Sequence, residues 1–417
     1  VNVFSRVISG VMTFAMSRRQ RLPRFFDRVI DDVARNPDGV AGRFAALLLG
    51  GASRGNVPAA TAVPEALIRV YIGPTNYSGQ GYLWARALER ADSSLGARNM
   101  AIELPGGFSF SADSSVPTAV QTASEDWQRA EFAAVSRFSH VLFEAERSLF
   151  GPLFGRSIGA EIQRLEQHGV SCAFLCHGTD IRSPTLHRLR DRYSPYYDDP
   201  RTPDLQADAD KNVALLRAHN LPLFVSTPDL LIDLPEASWC PVVVNGSIWS
   251  AAARPLMQRK VPVVVHLPSS GLVKGTHLIE PMLFRLHAAG VIDYKGVTGV
   301  SSTEMPAIIG DADIVLDQFR IGSYGVAAVE AMAASRVVVG HVLPDVRELV
   351  AALTGRVLPI VEADAESLER VLLALISDHD RMVALSTEGR HFADAIHSGE
   401  RSAHVLLSGW IHRSKSA

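Results

Sequence analysis

The 417-residue chain reads as an α/β protein of two parallel-sheet domains behind a helical N-terminal appendage. Three observations predict this. The chain is longer than one core ordinarily organises. Apolar, β-branched runs alternate with helix-patterned segments along most of it, as in a parallel sheet. The alternation also restarts: a first series ends near Asn245, and a second begins at Val261.

Residues 1–66 read as the appendage. Phe4 to Ala15 suits an apolar-faced helix, and Arg18, Arg19, Arg21, Arg24 and Arg28 follow with Phe25 and Phe26 among them. Residues 1–60 carry a formal charge of +5 and the remainder −8. Such a segment suits a helix lying on an anionic membrane, or a helical cap packed on a neighbouring domain. Pro58 to Pro64 reads as a linker.

Residues 67–245 form the first expected domain. Leu67 to Gly73 is a buried strand, Pro74 to Gly81 a loop with Gly79 and Gly81, and Tyr82 to Ala91 a helix. Strand, glycine loop and helix open a dinucleotide-type α/β unit, although the G-x-G-x-x-G spacing is missing. Strands follow at Ala101–Leu104, His140–Phe143, Cys172–Cys176 and Leu221–Ser226, and Val242 to Asn245 closes the series. Gly246 to Gln258 is the expected hinge. The second domain, residues 246–395, holds strands at Val261–His266, Tyr294–Val297, Asp313–Asp317, near Val339 and at Val357–Val361, with helices between. Residues 396–417 read as a terminal helix.

Composition narrows the function. An apolar fraction of 47% with 20% charged residues suits a soluble globular protein. A net charge of −3 argues against a nucleic-acid binder. Cys172, Cys176 and Cys240 read as buried thiols without metal-ligand spacing, suited to a reducing cytoplasm. No apolar run of about 18 residues predicts a membrane span. Apolar Val7 to Met16 precedes the basic cluster, the wrong order for a secretory signal.

The chemistry concentrates between Gly310 and Val339. A strand leads into a loop with Gly322, Ser323, Tyr324 and Gly325, and a helix opens near Val326 with Glu330 in its second turn. Backbone N–H groups and the positive dipole end at such a helix start favour an anion, most simply a phosphate. A carboxylate one turn further in suits a ribose hydroxyl, so the pair suggests a nucleotide. Lys274 follows the strand ending at His266, where an anion would balance it; read alone, it is equally a solvated lysine. His177-Gly178-Thr179-Asp180-Ile181-Arg182 follows another strand end, where open α/β sheets bind ligands, or is a turn capped by Asp180. The triplets Asp208–Asp210 and Asp311–Asp313 read as surface acids, so no required metal is expected. Neither a G-x-S-x-G elbow nor a P-loop is present.

The segment also resembles the nucleotide-sugar-binding stretch of retaining glycosyltransferases of the GT-B type, family 4-like. Ala312-Asp313-Ile314, Tyr324-Gly325 and Glu330-Ala331-Met332-Ala333 carry the match. It departs where the family's first glutamate, eight residues before Glu330, falls on Gly322, and where a glycine and a proline fall on Ser335 and Val337. Near Lys274 the family usually adds an arginine where Ser269 and Ser270 stand.

The resemblance covers most of residues 67–395 and implies two Rossmann-like domains facing across a cleft. It implies transfer, with retention, of a sugar from a nucleoside diphosphate sugar to a hydroxyl acceptor such as a glycan, lipid or small molecule. Lys274, Ser269, Ser270, Gly322, Ser323, Tyr324, Gly325 and Glu330 would then serve the donor. Gly79, Gly81, His177, Asp180 and Arg182 would face the acceptor, with His177, Lys274 and Glu330 closest to the chemistry. No further cofactor and no nucleic-acid partner are expected. The protein would work in the cytoplasm, with contact to the inner membrane face through residues 1–60 as an added expectation. A non-catalytic binding or scaffold protein of this fold and a nucleotide-sugar epimerase are the alternatives.

Overall fold

The computed structural model describes residues 57–103, 110–268 and 271–413. The expected helix and arginine cluster within residues 1–56, together with Ser269 and Ser270, lie outside the described residues. Two compact units divide the chain, Val1–Cys172 and Ala173–Ala417.

In the first unit, β1 (Ile68–Gly73) runs parallel to β2 (Leu95–Glu103) and to β4 (His140–Glu144), while β3 (Ser114–Pro117) extends the sheet beyond β2. The sequence of β1, IRVYIG, is almost wholly buried, as a parallel strand covered on both faces must be. β2 begins at Leu95 rather than at the expected Ala101. Two polar residues disguise it: Arg98 pairs with Glu89 at 3.1 Å, and Asn99 donates through its N–H to Asp113 at 2.9 Å and through Nδ2 to the Ile72 carbonyl at 3.2 Å.

Glu131, on the helix Glu125–Val135, is fully buried. It accepts from the Tyr71 hydroxyl at 2.8 Å and from the Thr61 N–H and hydroxyl, each at 2.7 Å. The stretch expected as a linker is therefore fastened to the first unit at Thr61.

β5 (Ser171–Cys176) begins in the first unit and ends in the second, where it pairs with β6 (Leu223–Val225), and β6 pairs with β7 (Ser238–Trp239). The second unit also holds a five-stranded parallel sheet. Its strands are β8 (Val263–His266), β9 (Asp293–Gly296), β10 (Ile314–Leu316), β11 (Val337–Gly340) and β12 (Ile360–Glu362). They lie in the order β12-β11-β10-β8-β9. Val264, Ile314, Leu316, Val339, Leu283 and Leu372 meet in the core that covers it.

Several expectations need correction. Val242–Asn245 is not a strand, and the expected hinge contains a helix, Gly246–Ala252, capped by Asn245. Asp208 and Asp210 are exposed, as expected, but sit inside the helix Thr202–His219. Asp313 is not a surface acid: it is buried, and its oxygens accept from Met257 N–H at 2.6 Å and Val263 N–H at 2.8 Å. It ties the entry to β8 against the entry to β10.

In the five-stranded sheet, β9 lies on one side of β8 and β10 to β12 on the other. The winding therefore reverses between β8 and β10. At such a reversal the connections leave in opposite directions, and a crevice opens beyond the carboxyl ends of the two strands.

Replacing Glu131 with alanine should strand three buried donors and cost the first unit about 3 kcal/mol or more. Urea unfolding followed by intrinsic fluorescence should show an early transition for Glu131→Ala. An unchanged midpoint would mean that Thr61 and Tyr71 do not depend on this carboxylate.

Candidate functional site

Two connections meet at the reversal. The one after β8 carries the short helix Gly271–Lys274 and then the helix Thr276–Ala288. The one after β10 runs from Asp317 to Gly325 and opens the helix Val326–Ala333. Lys274 ends its short helix rather than starting a long one, and Gly275 makes the link with φ of +77°.

Asp317 brings these connections together. It is buried, and its Oδ1 accepts from Lys274 Nζ at 2.9 Å. Its Oδ2 accepts from Gly325 N–H at 3.3 Å. One carboxylate thus engages both the cation and a helix-start donor expected to hold a phosphate. The first-turn N–H groups of the helix that follows have no partner within the helix. Glu330 lies one turn in. Crowding of its carboxyl by protein raises its pKa to about 8; Lys274 opposes the rise and Asp317 adds to it. At neutral pH this carboxyl is mostly protonated, so it can donate one hydrogen bond and accept others.

His266, at the end of β8, is also buried. Its Nδ1 donates to the Leu316 carbonyl at 3.0 Å, so its Nε2 accepts from the Thr276 hydroxyl at 2.9 Å. Burial holds its pKa down at about 4, with the Lys274 charge helping, and the ring is neutral. It locks β8 to β10 beneath the two connections.

The rest of the loop is held from the segment 182–229. Ser323 Oγ donates to Asp229 Oδ1 at 2.6 Å, and Arg182 Nη2 to Asp229 Oδ2 at 2.6 Å. All three residues are buried. Burial alone would raise the Asp229 pKa, but Arg182 and the Ser323 hydroxyl outweigh it and hold it below the usual value. Arg320 donates to Asp198 Oδ1 at 2.6 Å and to the carbonyls of Tyr193 and Ser194, each at 2.8 Å. His187 Nε2 donates to the Ile321 carbonyl at 3.0 Å, and its Nδ1 accepts from the Ser194 hydroxyl at 2.8 Å.

The expected residues therefore separate into groups. Lys274 and Gly325 meet on Asp317, and Glu330 lies one helical turn beyond Gly325. Ser323 faces Asp229 instead, and Tyr324 is buried with its hydroxyl 3.4 Å from His397. Gly322 is not a glutamate position with its side chain pared away. Its φ is +66°, and a Cβ there would lie 2.6 Å from Leu343. Arg182, expected to face the acceptor, is neutralised by Asp229. Asp180 accepts from the His177 N–H at 2.6 Å and from the Gly178 N–H, so it closes its own turn rather than facing an acceptor. Gly79 and Gly81 belong to the first unit, where Glu144 Oε2 accepts from the N–H groups of Thr75 and Asn76, each at 3.1 Å, and supports their loop. A Cβ at Gly81 would lie 2.4 Å from Asn99 Nδ2, so the close approach requires glycine.

Sequence reasoning missed Asp317, Asp229, His266 and Arg320. Asp317 had a visible signal: an acid directly after an apolar strand lies at the end of the sheet that binds ligands.

No protein-family model matches the chain, and no curated protein matches it. Solved structures do. Sucrose-phosphate synthase from Thermosynechococcus elongatus superposes with a TM-score of 0.54 at 12% identity, over 84% of this chain and 99% of that one. The catalytic domain of starch synthase IV from Arabidopsis thaliana, bound to ADP and acarbose, gives 0.52 at 11% identity over 85% and 100%. HepE from Anabaena, in complex with UDP and glucose, gives 0.50 at 10% identity over 82% and 98%. This chain has the fold of these glycosyltransferases, the GT-B fold of parallel, Rossmann-like α/β sheets. Among the described residues no helix is long and apolar enough to cross a membrane.

Two outcomes test this geometry. Gly322→Glu should destabilise the protein by about 2 kcal/mol or more, because it adds both a clash and left-handed strain. A fully stable variant would mean that the loop is not held as described. The second outcome concerns pH. His341 is flanked by Asp191 at 3.5 Å and Glu362 at 2.7 Å. Burial alone would lower its pKa, but these carboxylates lift it to about 9. Its contribution is full below its unfolded value of 6.5 and is lost as pH rises through 9. Glu330 acts in the same direction, since ionising it costs stability as pH rises from 4.5 towards 8. Thermal stability should fall between pH 6.5 and 9. His341→Gln should flatten part of that slope, and Glu330→Gln another part. A melting temperature that rises over this range would refute both assignments.

Proposed function

We propose that the protein is a glycosyltransferase that moves a sugar from a nucleoside diphosphate sugar to a hydroxyl acceptor, with retention. Residues 246–395 serve as the donor domain and 67–245 as the acceptor domain. The observation that carries this reading is the meeting of Lys274, the start of the helix Val326–Ala333 and Glu330 at the reversal point between β8 and β10. Its support from outside is the fold shared with proteins solved with ADP or with UDP and glucose.

In this reading the donor diphosphate takes over the partners of Asp317. Lys274 and the helix-start N–H groups then stabilise the charge that grows on the departing diphosphate. The mostly protonated Glu330 hydrogen-bonds the ribose hydroxyls. The bond between the sugar's anomeric carbon and the diphosphate oxygen breaks, and the acceptor oxygen bonds to that carbon on the same face. The acceptor proton passes to the leaving phosphate oxygen, so no separate protein base is needed.

A second reading, a non-catalytic protein of this fold, is favoured by one observation. The cations that would greet a donor are already spent, Lys274 on Asp317 and Arg182 on Asp229.

A binding panel of nucleoside diphosphates and their sugars on the full chain, read by thermal shift, decides between them. For catalysis, at least one ligand should raise the melting temperature. Lys274→Ala should then weaken it about tenfold or more, the loss expected for a charged hydrogen bond. Glu330→Gln should keep the fold, become more stable near pH 8, and bind less tightly. Stabilisation by none of the panel would refute the donor site. Binding with neither hydrolysis nor transfer would establish the non-catalytic reading.

A further inference from the structure

A cavity of about 670 Å³ lies in the second unit, away from the candidate donor site. The end of the helix Thr202–His219, the entry to β6, β7 and the C-terminal segment 401–413 form its walls. Its volume is within the range of small-molecule sites. Leu221 to Phe224, at the amino end of β6, line it, whereas the candidate donor site is at the carboxyl ends of β8 and β10. The two share no residue.

Its chemistry is two-sided. Leu231 and Val405 supply apolar surface, with Leu216 and Phe224 buried behind them. Arg217, Arg401, His404 and Arg413 also line it, against a single acid, Glu236. Glu236 is used by Arg217 at 2.7 Å. Arg401 Nη2 donates to the Leu353 carbonyl at 2.6 Å, and its guanidinium carbon lies 5.9 Å from the Trp239 ring centre. Its Nε is buried and has no hydrogen-bond partner. Among the described residues no carboxylate forms an ion pair with Arg401, His404 or Arg413. A cation held in place by a carbonyl and a ring, with no carboxylate beside it, still lacks an anion.

A second feature points to the same place. Residues Leu407–Ile411 form a π-helical turn. Such turns are rare and recur at functional sites, because the widened backbone costs stability that packing alone seldom justifies. Here the turn presses Gly409 to the cavity wall, where a Cβ would lie 3.2 Å from the Phe224 ring.

We infer that this cavity is a second ligand site, for a molecule that joins a phosphate group to a small apolar or aromatic body. The phosphate sits against Arg401 and Arg413, whose planar forks match its oxygens. The apolar part lies on Leu231 and Val405. The phosphate belongs either to a free metabolite or to a lipid headgroup.

Phenyl phosphate is the probe, with wild type, Lys274→Ala and the double variant Arg401→Gln/Arg413→Gln compared by thermal shift and calorimetry. At saturation it should raise the melting temperature of wild type and of Lys274→Ala by about 3 °C. The double variant should lose that shift. Because Arg401 also holds a carbonyl, Arg413→Gln alone is the second variant; it is exposed, should fold, and should bind about fivefold more weakly. A shift lost in Lys274→Ala would place the probe in the donor site and overturn the inference. So would no binding at millimolar probe by a folded wild type, or binding unchanged in a folded double variant. Sedimentation with phosphatidate vesicles, absent with phosphatidylcholine and lost with the arginines, would identify a headgroup as the source. Phenyl phosphate binding without such sedimentation would identify a soluble phosphate.

Discussion

A single buried carboxylate, Asp317, organises the second unit's candidate site. It sits one residue past the central strand β10 and joins the ends of two connections, which the Phe319 N–H also ties by donating to the Lys274 carbonyl at 3.0 Å. Lys274 keeps only 15% of its side-chain surface exposed. An ammonium so enclosed needs a counter-charge, since a buried ion without a partner is costly. The helix Val326–Ala333 has the related difficulty of unpaired N–H groups at its start. Asp317 answers both, and the loop between is wound to let it.

A second set of polar contacts holds that loop from outside. Arg182, Asp229 and Ser323 form one buried chain, and the buried Arg320 reaches out to the exposed Asp198. His187 spans a hydroxyl and a carbonyl, and the carbonyl, which can only accept, fixes a proton on Nε2. Removing one member of such a chain costs more than forming the chain contributes, because the survivors stay buried and unpaired. Such contacts specify one loop conformation more than they add stability. They also explain why no side chain fits at position 322: the backbone passes there in a left-handed turn against Leu343.

Much of the architecture was legible in the sequence. β1, β4, β5, β8 and β10 announced themselves as β-branched runs, because parallel strands covered on both faces admit little else. β2 and β3 were harder, since Arg98, Asn99 and the serines of β3 look like loop residues until Glu89 and Asp113 are seen beside them. The site was half visible. Lys274, Gly325 and Glu330 follow from local rules about strand ends and helix starts. The partners of Arg182 and Ser323 do not, for Asp229 lies 47 and 94 residues away respectively. No periodicity reports such a pairing. Asp313 misled for the same reason, its partners being backbone groups brought in from Met257 and Val263.

The carboxylate between Lys274 and Gly325 means that an anion arriving there would meet an ion pair rather than a vacancy. An anion that enters does not simply add its charge to a waiting cation; it trades places with one already there. The displaced carboxylate must find water, and the net change in charge pairing is small. Attraction at a distance is correspondingly weak, because the ammonium and Asp317 largely cancel beyond a few ångströms. Selection then rests on fit at contact: an anion gains entry by offering more oxygens, better spaced, than the two of a single aspartate.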